Sequence, residues 1–254
     1  MSGQVVLTID GRAATVRLSH PGKFNAMSRA MWRQLQDAFE RLQHDTEVRC
    51  VLLRGDEGQF CAGGDISEYA GFRFEEASLR SFHEDDVWGA LQALLACDLP
   101  VIAQIDGHCM GAGMEIASAC DIRIAGASAR FGAPIAKLGF PMAPREAALI
   151  ARVAGDLTAR EMLLEAAVLS APVMLQRGFL NRVVADDKVA SDAQDTVRRI
   201  AALAPQAARV NKQTLRSLTG VSLATDDASA YIYADSAEHR EGVAAFVEKR
   251  RPRF

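Results

Sequence analysis

The stretch that decides the fold is residues 101–121, which read Val101-Ile-Ala-Gln-Ile-Asp-Gly-His-Cys-Met-Gly-Ala-Gly-Met-Glu-Ile-Ala-Ser-Ala-Cys-Asp121. Its first five residues are mostly apolar and β-branched and follow a proline, so they predict a buried strand. The glycines at positions 107, 111 and 113 predict a tight loop. From Ala112 onward the spacing of apolar residues is helical. The sequence therefore predicts a strand, a glycine loop and a helix in direct succession.

The predicted helix start could form half of a binding site. The first N–H groups of a helix have no acceptor within the helix, and they favour an anion or an oxyanion. Ala112 and Glu115 are three residues apart and so share one face of the helix. The alternative is that the glycines only let the helix pack closely on the strand. A dinucleotide fingerprint is excluded because Ile116 stands where it needs glycine, and the Gly-Lys-Ser/Thr ending of a P-loop is absent.

A second glycine-containing stretch could also form part of a binding site. It reads Gln59-Phe-Cys-Ala-Gly-Gly-Asp-Ile-Ser-Glu68. Its two adjacent glycines allow close approach of the backbone to a ligand. Asp65 followed by Glu68 is a variant of the capping box and predicts a helix start. A functional interpretation places a second backbone N–H donor near Ala62. The alternative is a well-capped connection between a strand and a helix.

The rest of the chain supports an α/β fold. Alternating segments at 4–9 and 13–18 flank Asp10-Gly11 and predict a β-hairpin. A helix is predicted from about Ser28, a strand at 50–53, a long helical pattern at 73–98 and a strand at 121–125. Three strand–turn–helix units with mostly parallel strands follow from this order. Residues 131–144 look like a loop, short helices and a strand at 181–184 come next, and residues 188–254 are predicted to be helical, including segments at 222–237 and 240–249.

Composition narrows the possible functions. The 254 residues carry 29 basic and 32 acidic side chains, a formal charge of −3, which gives no general reason to expect nucleic acid or an anionic membrane as partner. No secretory signal and no uninterrupted apolar run of membrane-spanning length is apparent. The five cysteines form no CxxC pair, which predicts buried reduced thiols in a cytoplasmic protein. The histidines lack metal-ligand spacing, so no metal site is predicted.

Three blocks, in order along nearly the whole chain, resemble the crotonase family, the enoyl-CoA hydratase/isomerase superfamily. The first is Phe60-Cys-Ala-Gly-Gly-Asp-Ile. The second is Ile102-Ala-Gln-Ile-Asp-Gly, three further residues, Gly111-Ala-Gly, and then Ser118-Ala-Cys-Asp121. The third is the tail, Arg240-Glu-Gly-Val-Ala-Ala-Phe-Val-Glu-Lys-Arg. The second block is the most specific of the three.

The resemblance implies a crotonase-like fold of repeated ββα units with a C-terminal helical region. It divides the chain into a core with an acyl-CoA pocket at 1–187 and helices for oligomerisation and CoA contact at 188–254. It implies a homotrimer or hexamer and an acyl-CoA thioester as substrate, with no separate cofactor. The backbone N–H groups of Ala62 and Ala112 would bind the thioester oxygen and stabilise the enolate that forms there. Residues implied to contact CoA are Lys23, Ala26, Ala62, Gly63, Gly64, Asp65, Ile66, Phe246 and Lys249.

The chain departs from the family at one catalytic position. Hydratases of the family use two glutamates, and Glu115 matches the first. The second follows a proline in Phe-x-x-Pro-Glu, but this chain reads Phe131-Gly-Ala-Pro-Ile135. An isoleucine can neither hold water nor exchange a proton. Glu146 could reach the pocket instead, although a glutamate at a helix start can also simply pair with the helix dipole.

Four functions therefore stay open. Hydration of a 2-enoyl-CoA is the family's common reaction. An isomerase needs only one base to shuttle one proton, and a decarboxylase needs the oxyanion site more than a pair of carboxylates. The chain could also bind acyl-CoA without turnover. Glu115 disfavours that last function, because a carboxylate in an apolar pocket costs stability unless it is used or paired.

Overall fold

A computed structural model of the chain describes residues 2–218 and 236–254, apart from the side chains of Phe246 and Val247. Its strands are β1 Gln4–Asp10, β2 Ala13–Ser19, β3 Cys50–Gly55, β4 Val101–Ile105, β5 His108–Met110, β6 Ile122–Gly126, β7 Arg130–Gly132, β8 Val168–Ser170 and β9 Arg182–Val184. Its helices are α1 Arg29–Gln43, α2 Glu76–Ser81, α3 Trp88–Ala96, α4 Ala112–Ala119, α5 Pro144–Ala154, α6 Asp156–Leu164, α7 Ala171–Gln176, α8 Val189–Ala201, α9 Pro205–Leu218 and α10 Ala237–Val247. Most of the helix predicted at 222–237 lies outside the described residues.

The main sheet has six strands in the order β1-β2-β3-β4-β6-β9. The first two form the predicted antiparallel hairpin, and the other neighbouring pairs are parallel. Each parallel crossover carries helices onto a face of the sheet, so the central strands are buried on both sides. All five residues of β4 are buried for this reason. The α/β class and the parallel strands predicted from the sequence are confirmed.

A second sheet, β5-β7-β8, lies where the sequence predicts loops. Strand β5 falls inside the predicted glycine loop, and β7 overlaps the start of the predicted loop at 131–144. Each has three residues, which is too short for an alternating pattern to show in the sequence. The pairing of β5 with β7 fixes the chain just before α4, because the N–H of Gly111 donates to the carbonyl of Gly132 at 2.8 Å.

Helix α1 forms as its sequence predicts. Ser28 is its N-cap, and the side-chain oxygen of Ser28 accepts the N–H of Met31 at 3.2 Å. Its apolar residues fall at helical spacing and pack into the core. The buried side chains are Met31, Trp32, Leu35, Ala38, Phe39 and Leu42. On the other face of the sheet, α8 covers Cys50, Leu52 and Ile102 with Ala193 and Val197.

The predicted capping box at residues 65–68 is only half correct. Asp65 does cap a short 3₁₀ turn, Ile66–Gly71, by accepting the N–H of Ser67. Glu68 does not return to the N–H of Asp65, which donates instead to the carbonyl of Met27. The Glu68 carboxylate accepts the N–H of Arg29 at the start of α1. A contact across about forty residues has replaced the local one, and this ties the 3₁₀ turn to α1.

The long helical pattern at 73–98 becomes α2 and α3 joined by a π-helical turn at Phe82–Val87. A π turn widens the helix by one residue and is frequent at functional sites. Here it directs Phe82, His83 and Val87 toward a cleft, while Asp86 pairs with arginines on α1. The sequence predicts a helix at these positions but gives no sign of the wider turn.

The C-terminal helices pack on the body of the protein. Helix α8 contacts β3, β4 and β6. From α9, the ammonium of Lys212 pairs with Asp121 at 2.7 Å and donates to the carbonyl of Leu99 at 2.8 Å. The division at residue 187 stays a prediction. Among the helices of the described residues, none is both long enough and apolar enough to cross a membrane.

Candidate active site

A cleft lies where α4, the glycine stretch, the π turn and α5 meet. It encloses about 180 Å³, and its walls include Gly64, Ala112, Glu115, Ile135 and Glu146. Ligand pockets for whole small molecules are commonly ~300–1,000 Å³. The cleft therefore suits the reacting end of a ligand whose remainder lies outside it.

The start of α4 has the geometry expected of an anion site. Gly111 is its N-cap with a φ of 48°, a conformation that favours glycine, and no side chain caps the helix there. Ala112 is the first residue of the helix and lines the cleft. Its N–H is among the first-turn donors that a helix leaves without an internal acceptor. This feature follows directly from the glycine loop seen in the sequence.

The N–H of Ala62 is already engaged, because it donates to the carbonyl of Phe24 at 3.0 Å. Ala62 lines the cleft, but this donor is not free for a ligand. Two residues later, Gly64 also lines the cleft, and its N–H donates to no acceptor within residues 2–218 and 236–254. A Cβ on Gly64 would lie 2.0 Å from the hydroxyl oxygen of Tyr69. Only glycine therefore fits this position without displacing Tyr69.

Glu115 lies one turn into α4 and is 8% exposed. Its side chain makes no hydrogen bond to any residue that the structure describes, and its carboxyl group faces the cleft. Burial raises the pKa of Glu115 well above its ordinary value, and the nearby charge of Glu146 raises it further. A carboxyl group in this environment is held in its protonated form to higher pH than an exposed glutamate.

Glu146 is the third residue of α5 and is 2% exposed. Its position in the first turn is favourable for a carboxylate, as the sequence suggests. It also lines the cleft with Glu115, so the structure brings the two glutamates together. The Oε1 atom of Glu146 lies 3.2 Å from Nδ1 of His83 on the π turn. His83 is a residue that the sequence did not single out, since the contact joins positions 63 residues apart.

Ile135 stands in the cleft wall at the start of a 3₁₀ turn, Ile135–Leu138. It offers only hydrocarbon to the cleft. The position at which the family has its second glutamate is thus apolar here, while Glu146 supplies a carboxylate from the next helix. The sequence raises the possibility that Glu146 reaches the pocket, and the structure places its side chain in the cleft wall.

Aromatic rings form the opposite wall. Tyr69 packs edge-on against Phe82 and Phe140, with ring centroids 6.3 Å and 5.9 Å apart. Burial raises the pKa of Tyr69 to about 12, so its hydroxyl stays protonated at neutral pH. The guanidinium of Arg73 stacks between Tyr69 and Phe140, with its carbon 4.4 Å and 3.9 Å from the two ring centroids. No motif or spacing in the sequence singles out Arg73.

The residues implied to contact CoA are only partly in the cleft. Gly63, Gly64 and Ile66 line it, whereas Lys23 lies beside it. The ammonium of Lys23 pairs with Asp65 at 2.7 Å. Burial alone would raise the pKa of Asp65, but hydrogen bonds from Lys23 and Ser67 outweigh it and lower the pKa.

Two further residues of that set, Ala26 and Lys249, do not line the cleft of this single chain. Ala26 is buried beside the stretch that carries Lys23. Lys249 is exposed and has a φ of 55°. The side chain of Phe246 lies outside the described residues. Their implied contacts with CoA stay predictions.

Known enoyl-CoA hydratases are similar to this chain along nearly its full length. The short-chain-enoyl-CoA hydratase of Clostridium acetobutylicum is 30% identical over 254 residues, which cover 97% of this chain and 95% of the relative. The 2,3-dehydroadipyl-CoA hydratase of Escherichia coli is 29% identical, with 99% of this chain and 98% of the relative covered. A crystal structure of an enoyl-CoA hydratase/carnithine racemase from Magnetospirillum magneticum has a TM-score of 0.93 and 39% identity, with 98% and 94% of the two chains covered.

The family model described as enoyl-CoA hydratase/isomerase matches residues 8–254. This range includes both glycine stretches, both cleft glutamates and the C-terminal tail. The resemblance seen in the three sequence blocks is confirmed: the chain belongs to the enoyl-CoA hydratase/isomerase family.

Proposed function

We propose that the chain is an enoyl-CoA hydratase that adds water to the C2–C3 double bond of a 2-enoyl-CoA thioester in acyl-CoA metabolism. The observation that carries the proposal is the pair of buried carboxyl groups, Glu115 and Glu146, in one cleft. Hydration needs two acid/base groups, since a water must lose a proton while carbon 2 gains one. Hydratases among the chain's relatives support the same reaction.

The thioester oxygen is proposed to bind between two backbone N–H groups, those of Gly64 and Ala112. Gly64 takes the place expected for Ala62, whose N–H is occupied by Phe24. These donors would stabilise the negative charge that develops on the oxygen in the enolate. The loss of one such donor typically lowers turnover by ~10²–10³.

Glu146 is proposed to hold the attacking water and accept its proton. As the water oxygen bonds to carbon 3, the electron pair of the double bond moves toward the thioester and forms the enolate. The carboxyl group of Glu115 then gives a proton to carbon 2, a role supported by its raised pKa. Exchange of a proton between the two carboxyl groups, or with solvent, restores the starting state.

Isomerisation of a 3-enoyl-CoA is the second candidate. Ile135 favours it, because the position of the family's second glutamate carries no acid/base group. An isomerase would move one proton from carbon 2 to carbon 4 and would incorporate no water. Glu115 alone could do this, and Glu146 would then be dispensable.

Assembly and location are proposed from the same features. Exposed apolar side chains support a homotrimer or hexamer, because such groups favour burial between subunits. Those with the largest exposure include Leu157 at 76%, Leu164 at 77% and Leu215 at 66%. The five cysteines are all free and buried, which supports a reducing, cytoplasmic setting.

The test is a direct assay of the purified protein with crotonyl-CoA and with a 3-enoyl-CoA. A hydratase converts the first substrate to a 3-hydroxyacyl-CoA. An isomerase leaves crotonyl-CoA unchanged and converts the second substrate to its conjugated 2-enoyl isomer. Turnover of neither a 2-enoyl-CoA nor a 3-enoyl-CoA, whether the acyl chain ends in a methyl group or in a carboxylate, would contradict the proposed function.

A further inference from the structure

Among the described residues that line the cleft, Arg73 is the one arginine, and no described residue pairs with its charge. The guanidinium is half-buried between the rings of Tyr69 and Phe140. Within residues 2–218 and 236–254, it forms no ion pair and no side-chain hydrogen bond. Other stacked arginines differ in this respect: Arg29 packs on two rings but pairs with Asp86, and Arg145 packs on a ring but pairs with Glu84.

The guanidinium lies against both rings, and its N–H donors make no hydrogen bond to any residue within 2–218 and 236–254. Stacking on aromatic faces stabilises a cation but satisfies none of its five N–H donors. A rigid guanidinium edge matches the two oxygens of a carboxylate, and holding it in advance reduces the entropy lost on binding. Arg73 is also the only arginine or lysine among the described residues that line the cleft.

The side chain of Tyr69 contacts both Arg73 and the part of the cleft where the thioester oxygen is proposed to bind. The hydroxyl of Tyr69 lies against Gly64, one of the two proposed oxyanion donors. The guanidinium stacks on the ring of the same side chain. The charges of Arg73 and Glu115 both act on the pKa of Tyr69, in opposite directions. Arg73 is therefore about one aromatic ring away from the proposed binding site of the thioester oxygen, and a short acyl chain can span that distance.

We propose that Arg73 binds a carboxylate at the far end of the acyl chain, so that the preferred ligands are CoA thioesters of short dicarboxylic acids. This inference rests on the proposed acyl-CoA function and adds the chemical class of the acyl group. A thioester-bound acyl chain ending in a methyl group leaves the guanidinium unpaired. A chain ending in a carboxylate pairs it and brings a compensating negative charge into the cleft.

The phosphate groups of CoA are also anions that could bind Arg73. The set of ligands must therefore distinguish a phosphate contact from a contact with the carboxylate of the acyl chain. Calorimetry with the intact protein should use saturated thioesters, which bind without turnover: succinyl-CoA against butyryl-CoA, and adipyl-CoA against hexanoyl-CoA. Free CoA and dephospho-CoA complete the set. Members of each pair share the CoA portion and the chain length and differ in the terminal carboxylate.

Three variants accompany the parent. Arg73→Gln removes the charge, Arg73→Lys keeps the charge but loses the planar fork, and Arg80→Gln is the matched control. Arg80 lies on the neighbouring helix α2, and within the part of the chain that the structure describes its one ion pair is with the exposed Glu76. If Arg73→Gln fails to fold, Arg73→Lys still tests the geometry, because a lysine cannot reproduce a two-point contact with a carboxylate.

The parent is expected to bind at least one dicarboxylic thioester ~10-fold or more tightly than its monocarboxylic partner, the scale of a charge-assisted hydrogen bond. Arg73→Gln should abolish that preference while leaving hexanoyl-CoA affinity within about twofold, and Arg80→Gln should keep it. Equal affinity within both pairs for the parent would overturn the proposal. So would an equal loss of affinity for all thioesters and free CoA in Arg73→Gln, which indicates a phosphate contact. If no thioester binds at all, the proposed ligand class fails as well.

Discussion

The Nδ1 atom of His83 lies 3.2 Å from the Oε1 atom of Glu146, within hydrogen-bond distance. This contact links the π turn to the first turn of α5 and fixes one of the two carboxyl groups in the cleft. His83 is itself partly exposed, with 20% of its side chain accessible, while Glu146 is almost completely enclosed. The enclosed carboxyl group of Glu146 thus has a polar partner in the partly exposed His83.

Removing the partner should weaken catalysis through the orientation of Glu146. His83→Phe is expected to lower the kcat for hydration ~10-fold, since a net hydrogen bond to a charged group is worth roughly that factor. His83→Asn, which retains a side-chain donor, should recover part of the loss. Steady-state kinetics on crotonyl-CoA measure both variants. A kcat unchanged in His83→Phe would show that this contact does not orient a catalytic group.

The buried Glu115 should lower the free energy of unfolding of the protein at neutral pH. Its folded-state pKa is raised by burial and by Glu146, so the protonated form is the stable one. The stability associated with that proton is fully present below the unfolded pKa of about 4.3 and is lost as pH rises through the folded pKa. Glu115→Gln cannot ionise and escapes this loss.

Thermal unfolding of Glu115→Gln and the parent therefore should diverge with pH. At pH 4 the two Tm values are expected to be close, and the variant should become increasingly more stable toward pH 7 to 8. A pH-independent difference, or a variant that becomes relatively less stable as pH rises, would contradict the raised pKa. The protein concentration must be equal at each pH, because any self-association also shifts Tm.

Gly64 should not tolerate a side chain. A Cβ there would meet the Tyr69 hydroxyl at 2.0 Å, and the adjustment would displace the proposed N–H donor. Gly64→Ala is expected to lower kcat by ~10² or more, the scale for losing one oxyanion donor. Gly71→Ala is a suitable control, because a Cβ at Gly71 meets no atom within 4 Å and that residue has no positive φ. Comparable activity of the two variants would argue against Gly64 as a donor.

The location of the second carboxyl group can be tested by moving it. Ile135→Glu in the parent places a third carboxyl group in an enclosed cleft, and like charges should lower both stability and turnover. In the Glu146→Gln background, the same substitution restores a pair and should recover part of the lost hydration. Rates for the parent, both single variants and the double variant decide this. Activity that rises in the Ile135→Glu single variant would mean that Glu146 is not the partner of Glu115.

The sequence predicted the elements with long, strongly periodic patterns. The buried strand β4, helix α4, the hairpin and the Ser28-capped helix α1 all follow from local rules, whereas the short strand β5 inside the glycine loop does not. These features depend on neighbouring residues, whose apolar spacing and turn chemistry are visible in the chain. Glu115 and Ala112 could be paired in advance for the same reason, since three residues on a helix fix their relative placement.

What the sequence missed depends on contacts between distant residues. The N–H of Ala62 is occupied by the carbonyl of Phe24, a contact made only when two loops meet. The π turn that presents His83 carries no local pattern, and its pairing with Glu146 joins separate helices. Arg73 reads as an ordinary charged residue until the rings around it are assembled. Such contacts are set by the tertiary packing of the chain, which overrides local preference.

The most direct test of the two-carboxylate mechanism compares crotonyl-CoA hydration by the parent, Glu115→Gln and Glu146→Gln, each checked for native assembly. Both substitutions keep the side-chain shape and remove an acid/base group, so each is expected to lower kcat by ~10²–10⁴. The double variant should be little worse than either single one, because the two groups act as a unit. If Glu146→Gln hydrates crotonyl-CoA at the parent rate while Glu115→Gln is inactive, Glu146 is not the second acid/base and the proposed mechanism is wrong.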